Sequence, residues 1–170
     1  MTVAQLDELP DEAAAGLLRA CCGASRWVER MVARRPYHTR AALLDAADAA
    51  WSAMGADDWR EAFAHHPRIG ERAAAAAQDA RAQGWSAAEQ AGASAAPPTT
   101  QAQLAEANRE YEDRFGHIYI VCASGRSAEE LLAIARARLQ NAPDVEIRVA
   151  AAEQHAITRL RLTKLLPECA

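Results

Sequence analysis

Residues 39–55 read TRAALLDAADAAWSAMG, and this stretch decides the fold class of the chain. Its larger apolar side chains recur three and four residues apart, which is the spacing of one face of an α-helix. They are Leu43, Leu44, Ala47, Ala50, Trp51 and Met54. A glycine, Gly55, follows the last of them, where a helix commonly ends. We therefore predict an amphipathic helix from Thr39 to Met54.

Helix signals continue outward from this stretch in both directions. Proline at a helix start, glycine after a helix end and Ser-x-x-Glu capping patterns bound the segments. We predict further helices over Pro10 to Cys22, Ser25 to Arg35, Asp57 to His65 or His66, Glu71 to Gln83, from Ser86 onward, Thr99 or Thr100 to Arg114, Ser127 to Leu139, and Asp144 to Leu166.

Two segments complete the predicted fold. Residues 117–123 have a β-like composition but no partner strand, so we expect an extended connection between helices. On the last helix we predict an apolar stripe at Val145, Val149, Ala152 and Ala156, beside a second stripe of Glu153, Ile157 and Arg161. The prediction is an all-α, single-domain bundle of about seven to nine helices over residues 1–170, with an extended segment near 117–124.

The composition excludes several classes of protein. Of the 170 residues, 51% are hydrophobic and 5% aromatic, as expected for one domain with a core of Ala, Leu, Ile and Val. The net charge is −4 and no basic face is present, so we expect no nucleic-acid partner. No secretory signal and no apolar run of about 18 residues occur, which predicts a cytoplasmic protein without a membrane segment.

The cysteines give no metal-binding or redox pattern. Cys21, Cys22, Cys122 and Cys169 contain no CxxC spacing, and in a cytosolic chain they are expected to be reduced thiols. We therefore predict no metal ligands among them.

The first candidate for chemistry is His66, which precedes Pro67 in the motif AHHPRIGE. A residue before proline is disfavoured in the α conformation, so this imidazole is expected at a helix end. Histidine exchanges protons near neutral pH, which suits a general acid or base. Taken alone, the pattern also fits a surface histidine in a turn.

The second candidate is the polar set Ser86, Glu89 and Gln90 in WSAAEQAGAS. Offsets of three and four place the three side chains on one helical face. A carboxylate on that face could work with His66. The alternative is a capping box in which Ser86 begins the helix, Glu89 reaches back and Gln90 is solvated.

Two further features could bind a ligand. The extended segment after Gly116 must satisfy its backbone N–H and C=O groups, and a polar ring compound could do so. The alternative is a packed connector in which Gly125 supplies a turn. Arg161 could bind a carboxylate or a urea-type carbonyl, or it could be a solvated arginine paired with acids.

These motifs in combination resemble those of the OHCU decarboxylase family, enzymes of urate degradation that act on 2-oxo-4-hydroxy-4-carboxy-5-ureidoimidazoline. The resemblance extends over nearly the whole chain. It rests on HPRIG at 66–70, SAAEQAG at 86–92, NREYEDRFG at 108–116, VCASGRS at 121–127, RLQN at 138–141 and the ending RLRLTKLL.

The resemblance implies an all-α carboxy-lyase that needs no cofactor and no metal, forms (S)-allantoin and is a homodimer. It implies a catalytic role for His66, with Glu89 beside it, and substrate binding by Pro67, Ser86, Gln90, Ile118, Ile120, Val121, Cys122, Ala123 and Arg161. Arg159, half a turn away, is the alternative to Arg161. Many family members read Phe-Gly-Phe-Pro-Phe where this chain has Phe115-Gly116-His117-Ile118-Tyr119, which puts the pocket lining there in question.

Two other classes of function remain open at this point. One is a helical metal-dependent hydrolase that uses His38, His65, His66 or His155, although HExxH spacing is absent. The other is a ligand-binding or interaction module with no enzymatic activity.

Overall fold

The structure is a computed structural model and describes residues 1–70, 80–94 and 96–167. These residues form ten α-helices and no strand, which confirms the all-α prediction. The helices are α1 (Val3–Glu8), α2 (Asp11–Cys21), α3 (Ser25–Ala33), α4 (Arg40–Ser52), α5 (Ala56–Ala64), α6 (Ala80–Glu89), α7 (Ala91–Ser94), α8 (Pro98–Phe115), α9 (Ala128–Arg138) and α10 (Pro143–Leu165). The short helix α1 has no predicted counterpart and accounts for the excess over the predicted number.

The chain divides into two compact units. The first consists of Met1–Ala62 with His155–Ala170, and the second of Phe63–Gln154. The prediction of a single domain stays a prediction. In the part of the chain that the structure describes, no helix is both long and apolar enough to cross a membrane.

The first unit is built around the helix that residues 39–55 predict. The hydroxyl of Thr39 accepts a hydrogen bond from the Ala42 N–H at 3.1 Å and so caps α4. The face with Leu43 and Ala47 is buried, as its spacing predicts. Against it, the fully buried Trp27 of α3 donates its indole N–H to the Ala47 carbonyl at 3.2 Å.

The second unit has its core between α8 and α9. Leu104, Tyr111 and Leu131 are fully buried there. Residues 117–123 have no regular secondary structure and connect the two helices, which confirms the predicted extended segment. Its Tyr119 side chain is buried in this core, and the phenol donates to the Leu131 carbonyl at 3.1 Å.

A buried ion pair joins the elements of the second unit. Arg138 of α9 donates from Nε to the Glu146 carboxylate of α10 at 2.8 Å, and Glu146 is 0% exposed. The same guanidinium donates to the Ile120 carbonyl at 2.7 Å. The Tyr111 hydroxyl and the Asn141 amide also donate to Glu146. Each charge is therefore surrounded by hydrogen bonds, as a buried charge requires.

The aromatic side chains are divided unevenly between the units. Three of the four tryptophans, Trp27, Trp51 and Trp59, lie in the first unit. Both phenylalanines and two of the three tyrosines lie in the second unit.

Three predicted helix boundaries are wrong. Gly84 and Ser86 lie inside α6, so Gly84 does not end a helix and Ser86 does not begin one. The buried face of Ala82, Ser86 and Glu89 outweighs the modest cost of a glycine in a helix. Helix α8 begins at Pro98 rather than Thr99 or Thr100, since proline suits the first turn. Residues 71–79 of the predicted helix lie outside the described residues.

The predicted apolar stripe of α10 is also wrong. Val145, Ala152 and Ala156 are exposed, and the buried side of the helix instead carries Glu146, Gln154 and Arg161. Hydrophobic periodicity could not find this face because these polar side chains lie on it among apolar residues such as Ala150 and Ile157. The predicted capping box at Ser127 is confirmed: its hydroxyl accepts from the Glu130 N–H at 3.2 Å.

Replacement of Arg138 should strongly destabilise the protein. In Arg138→Met the buried Glu146 carboxylate loses its cation, and we expect a loss of about 3–5 kcal/mol in the free energy of unfolding. Urea denaturation followed by circular dichroism measures this loss. Arg136→Met, at an exposed position of the same helix, should change stability by less than about 0.5 kcal/mol. Equal midpoints for the two variants would contradict the role of the buried pair.

Glycine is required at position 92 because the backbone of Arg126 approaches it. A Cβ built on Gly92 would lie 2.3 Å from the Arg126 carbonyl oxygen, whereas one on Gly84 meets nothing within 4 Å. Gly92→Ala should therefore destabilise the protein by about 1–3 kcal/mol. Gly84→Ala, inside α6, should stabilise it by about 0.5–1 kcal/mol. Thermal unfolding of the two variants side by side tests whether their changes in stability have opposite signs. A change of the same sign in both would refute the prediction.

Candidate functional site

The loop that follows α5 places His66 at a helix end, as the His-Pro sequence predicts. The backbone N–H of His66 donates to the Phe63 carbonyl at 3.0 Å, and Pro67 then leads the chain away from the helix. Both His66 and Pro67 are partly exposed. A ligand can therefore reach this imidazole.

The residues after Pro67 are bound to two helices. Arg68 makes a two-point ion pair with Glu112 of α8, with distances of 2.5 and 2.8 Å. The Ile69 carbonyl accepts from the Asn108 amide at 2.8 Å, and the Gly70 N–H donates to the Gln90 side-chain carbonyl at 3.0 Å. Gly70 has a φ of +82°, in the left-handed region that glycine adopts readily.

Ser86, Glu89 and Gln90 share a buried face, as their spacing predicts. Ser86 is 4% exposed, and Glu89 and Gln90 are 8% exposed. The alternative reading, a solvated capping box, is therefore wrong. A carboxylate with so little solvent contact needs polar partners, and it is suited to contact a ligand or a catalytic group. Gln90 also binds Gly70, so the helix end that carries Glu89 is tied to the loop that carries His66.

Several polar backbone groups of the extended segment are already hydrogen-bonded within the protein, two of them to charged side chains. Arg138 holds the Ile120 carbonyl, and the Cys122 N–H donates to the Glu153 carboxylate at 2.7 Å. Ile120, Val121 and Ala123 are buried, while Ile118 and Cys122 are partly exposed. A ligand would therefore meet the side chains of Ile118 and Cys122 at this segment.

The Cys122 thiol reports on the charges around it. Burial raises its pKa, and the Glu153 and Glu89 carboxylates add to that effect, while the Ser124 backbone and Arg126 partly offset it. The Glu89 carboxylate at the end of α6 is thus one of the charges that act on Cys122 of the extended segment.

The His117 ring lies among aromatic side chains of the second unit. Its ring lies 5.1 Å from the Phe63 ring and 5.5 Å from the Tyr111 ring, measured between centroids, and stacks at 6.3 Å on Phe115. The imidazole thus fills an aromatic position of the second unit, next to the predicted ligand segment.

The two candidate arginines of α10 differ in their surroundings in the first unit. Arg159 is partly exposed and forms an ion pair with Asp48, which also accepts from His155 at 2.8 Å. Burial raises the pKa of Asp48, but the hydrogen bonds and charge interactions with Arg159 and His155 outweigh burial and hold that pKa below its usual value. Arg161 is 2% exposed and donates to the Ala20 carbonyl at 3.3 Å.

The described residues offer no cluster for a metal ion. Within 1–70, 80–94 and 96–167, no group of three or more His, Cys, Asp and Glu side chains is close enough to bind one. Among the described residues Cys21, Cys22 and Cys122 form no disulfide, and Cys169 lies outside the described residues. Burial raises the pKa of Cys22 to about 11, which keeps it protonated at neutral pH.

Three polar residues around the site had no predicted individual role, although two of them lie in motifs quoted above. Asn108 binds the loop after His66, and Arg138 and Glu153 bind the backbone of the extended segment. Asn108 occurs four residues after Leu104 and three before Tyr111, on the core face of α8. A polar residue on an otherwise apolar face was the signal available in the sequence.

Comparisons with known proteins agree on one family. A family model described as OHCU decarboxylase matches residues 7–163. The uric acid degradation bifunctional protein TTL of Arabidopsis thaliana is 37% identical over 151 residues, which cover 88% of this chain and 46% of that protein. The chain therefore spans about half the length of this curated relative.

Two solved structures are similar to this chain. A crystal structure of OHCU decarboxylase in the presence of (S)-allantoin has a TM-score of 0.77 and 32% identity, and covers 94% of this chain and 100% of that one. A crystal structure of (S)-allantoin synthase has a TM-score of 0.70 and 19% identity, and covers 98% of this chain and 54% of that one. The second likeness concerns the fold alone.

Removal of the Glu89 charge should make Cys122 more reactive. In Glu89→Gln the pKa of the Cys122 thiol should fall towards its ordinary value, because one of the carboxylates that raise it is gone. More thiolate is then present at pH 8, and iodoacetamide should alkylate Cys122 faster. Peptide mass spectrometry over a time course gives the rate.

Glu112→Gln is the matched control, since Glu112 pairs with Arg68 and is not among the groups that shift Cys122. An unchanged rate in Glu89→Gln, or an equal rise in the control, would show that Glu89 does not act on this thiol.

Proposed function

Because this chain belongs to the OHCU decarboxylase family, we propose that it converts 2-oxo-4-hydroxy-4-carboxy-5-ureidoimidazoline to (S)-allantoin in urate degradation. The family match over residues 7–163 and the likeness to the allantoin-containing structure support this activity. The observation that carries the proposal is the hydrogen bond from Gly70 to Gln90. It connects the His66 loop with the buried face of Ser86 and Glu89.

The substrate itself can accept the electrons that decarboxylation releases. Its carboxylate is bonded to C4, next to the ring C5=N bond. When the C4–carboxylate bond breaks, its electron pair forms a C4=C5 bond and the imine pair moves to the nitrogen, which takes a proton. The C4 hydroxyl then loses its proton while C5 gains one, so that one proton is taken up overall and CO2 leaves.

The protein has three tasks in this reaction: to orient the carboxylate, to move the hydroxyl proton and to deliver a proton to one ring face. We assign the proton exchange at the C4 hydroxyl or enol to His66, whose position at a helix end leaves it accessible. Glu89 would hold both the hydroxyl and His66. Protonation from one side would give (S)-allantoin rather than a racemate.

The substrate-binding assignments follow from the resemblance and stay proposals. Pro67 and Ser86 would contact the substrate beside the catalytic pair. Along the extended segment, the partly exposed Ile118 and Cys122 would contact the substrate with their side chains, and the buried Ile120, Val121 and Ala123 would support the site behind them. The Gln90 carbonyl is engaged by Gly70, so its amide N–H groups would bind the ureido or ring carbonyls. Arg161, which is buried and does not share the Asp48 pair of Arg159, remains the proposed arginine.

His66→Ala should remove most of the rate acceleration. Loss of a positioned acid or base lowers kcat by about 10²–10⁴-fold, whereas the fold should persist because His66 lies in a partly exposed loop. Decarboxylation of freshly generated substrate is followed by circular dichroism as (S)-allantoin forms, against the spontaneous decay.

His38→Asn, at an exposed histidine of the first unit, serves as the control and should retain the wild-type rate. Full activity in His66→Ala would exclude His66 as the proton-exchanging group. Absence of any acceleration by the wild-type protein would refute the proposed reaction itself.

A further inference from the structure

We propose that Asn108 is a positioning residue for His66, acting through the single peptide group that joins Ile69 to Gly70. The inference rests on the catalytic role proposed for His66. Asn108 lies on α8, is 1% exposed and does not need to touch the substrate for this role.

The Ile69–Gly70 peptide group is held at both of its polar atoms. Asn108 donates to its oxygen at 2.8 Å, and its N–H donates to Gln90 at 3.0 Å. Since a peptide group is planar and moves as one body, these two bonds fix its orientation. Any rotation of the plane would break both bonds, one of them buried and the other partly buried.

Few backbone torsions separate this fixed peptide from His66. Proline fixes its own φ, and the residue before a proline is restricted as well, so Pro67 stiffens both itself and His66. The His66 N–H is bonded to Phe63, and Arg68 is paired with Glu112. The fixed peptide therefore restricts the backbone of the loop as far as His66, and with it the position of the imidazole.

Asn108 carries an unpaired group that a purely structural residue would avoid. Its side-chain oxygen Oδ1 is buried and has no hydrogen-bond partner among residues 1–70, 80–94 and 96–167, which is unfavourable for stability. A leucine of similar size would fill the same space beside Leu104 and Tyr111 without burying that acceptor. The amide therefore serves to donate its N–H group to the Ile69 carbonyl.

Asn108→Asp tests the donor directly. A carboxylate cannot donate to the Ile69 carbonyl, and we expect kcat to fall by about 10–100-fold at pH 8 with a smaller change in KM. A protonated carboxyl can donate again. Its pKa should be raised by burial and by the carbonyl oxygen opposite, so activity relative to wild type should recover as the pH falls.

The matched control is Gln103→Glu, the same amide-to-carboxylate change at an exposed position of α8. The ionisable groups on the elements bound to Asn108 are the same in all three proteins: His66 and Arg68 of the loop, Tyr111 and Glu112 of α8, and Glu89 at the end of α6. Recovery at low pH in Asn108→Asp alone therefore reports on the introduced carboxyl.

Two further measurements distinguish the positioning role of Asn108 from a loss of folding and detect it without enzymatic turnover. Asn108→Leu should keep a wild-type far-ultraviolet circular dichroism spectrum and lose kcat at every pH, since it never regains a donor. NMR of proteins labelled at histidine should show a changed His66 signal in both Asn108 variants and an unchanged one in the control.

The inference is overturned if folded Asn108→Asp and Asn108→Leu keep the wild-type kcat and His66 signal, or if the loss in Asn108→Asp does not recover at low pH. If the wild-type protein is inactive, the proposed function fails instead, and the His66 signal still decides whether Asn108 positions the ring.

Discussion

The buried charge pair of Arg138 and Glu146 is the constraint on which the second unit depends. Two opposite charges out of water are tolerated only when their hydrogen-bonding groups are satisfied. Here that requirement is met by Ile120, Tyr111 and the paired carboxylate. The pair therefore fixes more than two helices. It determines where the extended segment runs, because the Ile120 carbonyl must meet the guanidinium, and the proposed ligand contacts follow from the path of that segment.

The helices were largely predictable because their signals are local. Apolar spacing over 39–55, proline at Pro10 and the capping box at Ser127 all depend on near neighbours in the chain. The errors occurred where packing overrides local preference. Gly84 lies inside a helix that its buried face stabilises. The buried side of α10 carries Glu146, which is stable there because Arg138, Tyr111 and Asn141 donate to it, and periodicity does not reveal these partners.

The candidate site likewise has residues that the sequence identifies and residues whose roles depend on tertiary contacts. His66 and the set around Glu89 were recognisable because side-chain type and spacing point to acid and base chemistry, and the family resemblance added to that signal. The groups that hold this site in place act on backbone atoms. The partner of Asn108 is a carbonyl and that of Glu153 is an N–H, and every residue offers both. Such roles become visible only when the chain is folded.

The uneven distribution of aromatic residues gives the two units different optical signatures. Tryptophan emission arises mainly from the first unit, with Trp85 of α6 as the single contribution from the second. The near-ultraviolet dichroism of tyrosine reports mainly on the second, where Tyr111 and Tyr119 are packed against each other at 5.3 Å. With Trp85 replaced by phenylalanine, fluorescence would follow one unit alone. Unfolding followed by both tryptophan fluorescence and near-ultraviolet dichroism would then show whether the two units unfold in one cooperative transition or in two.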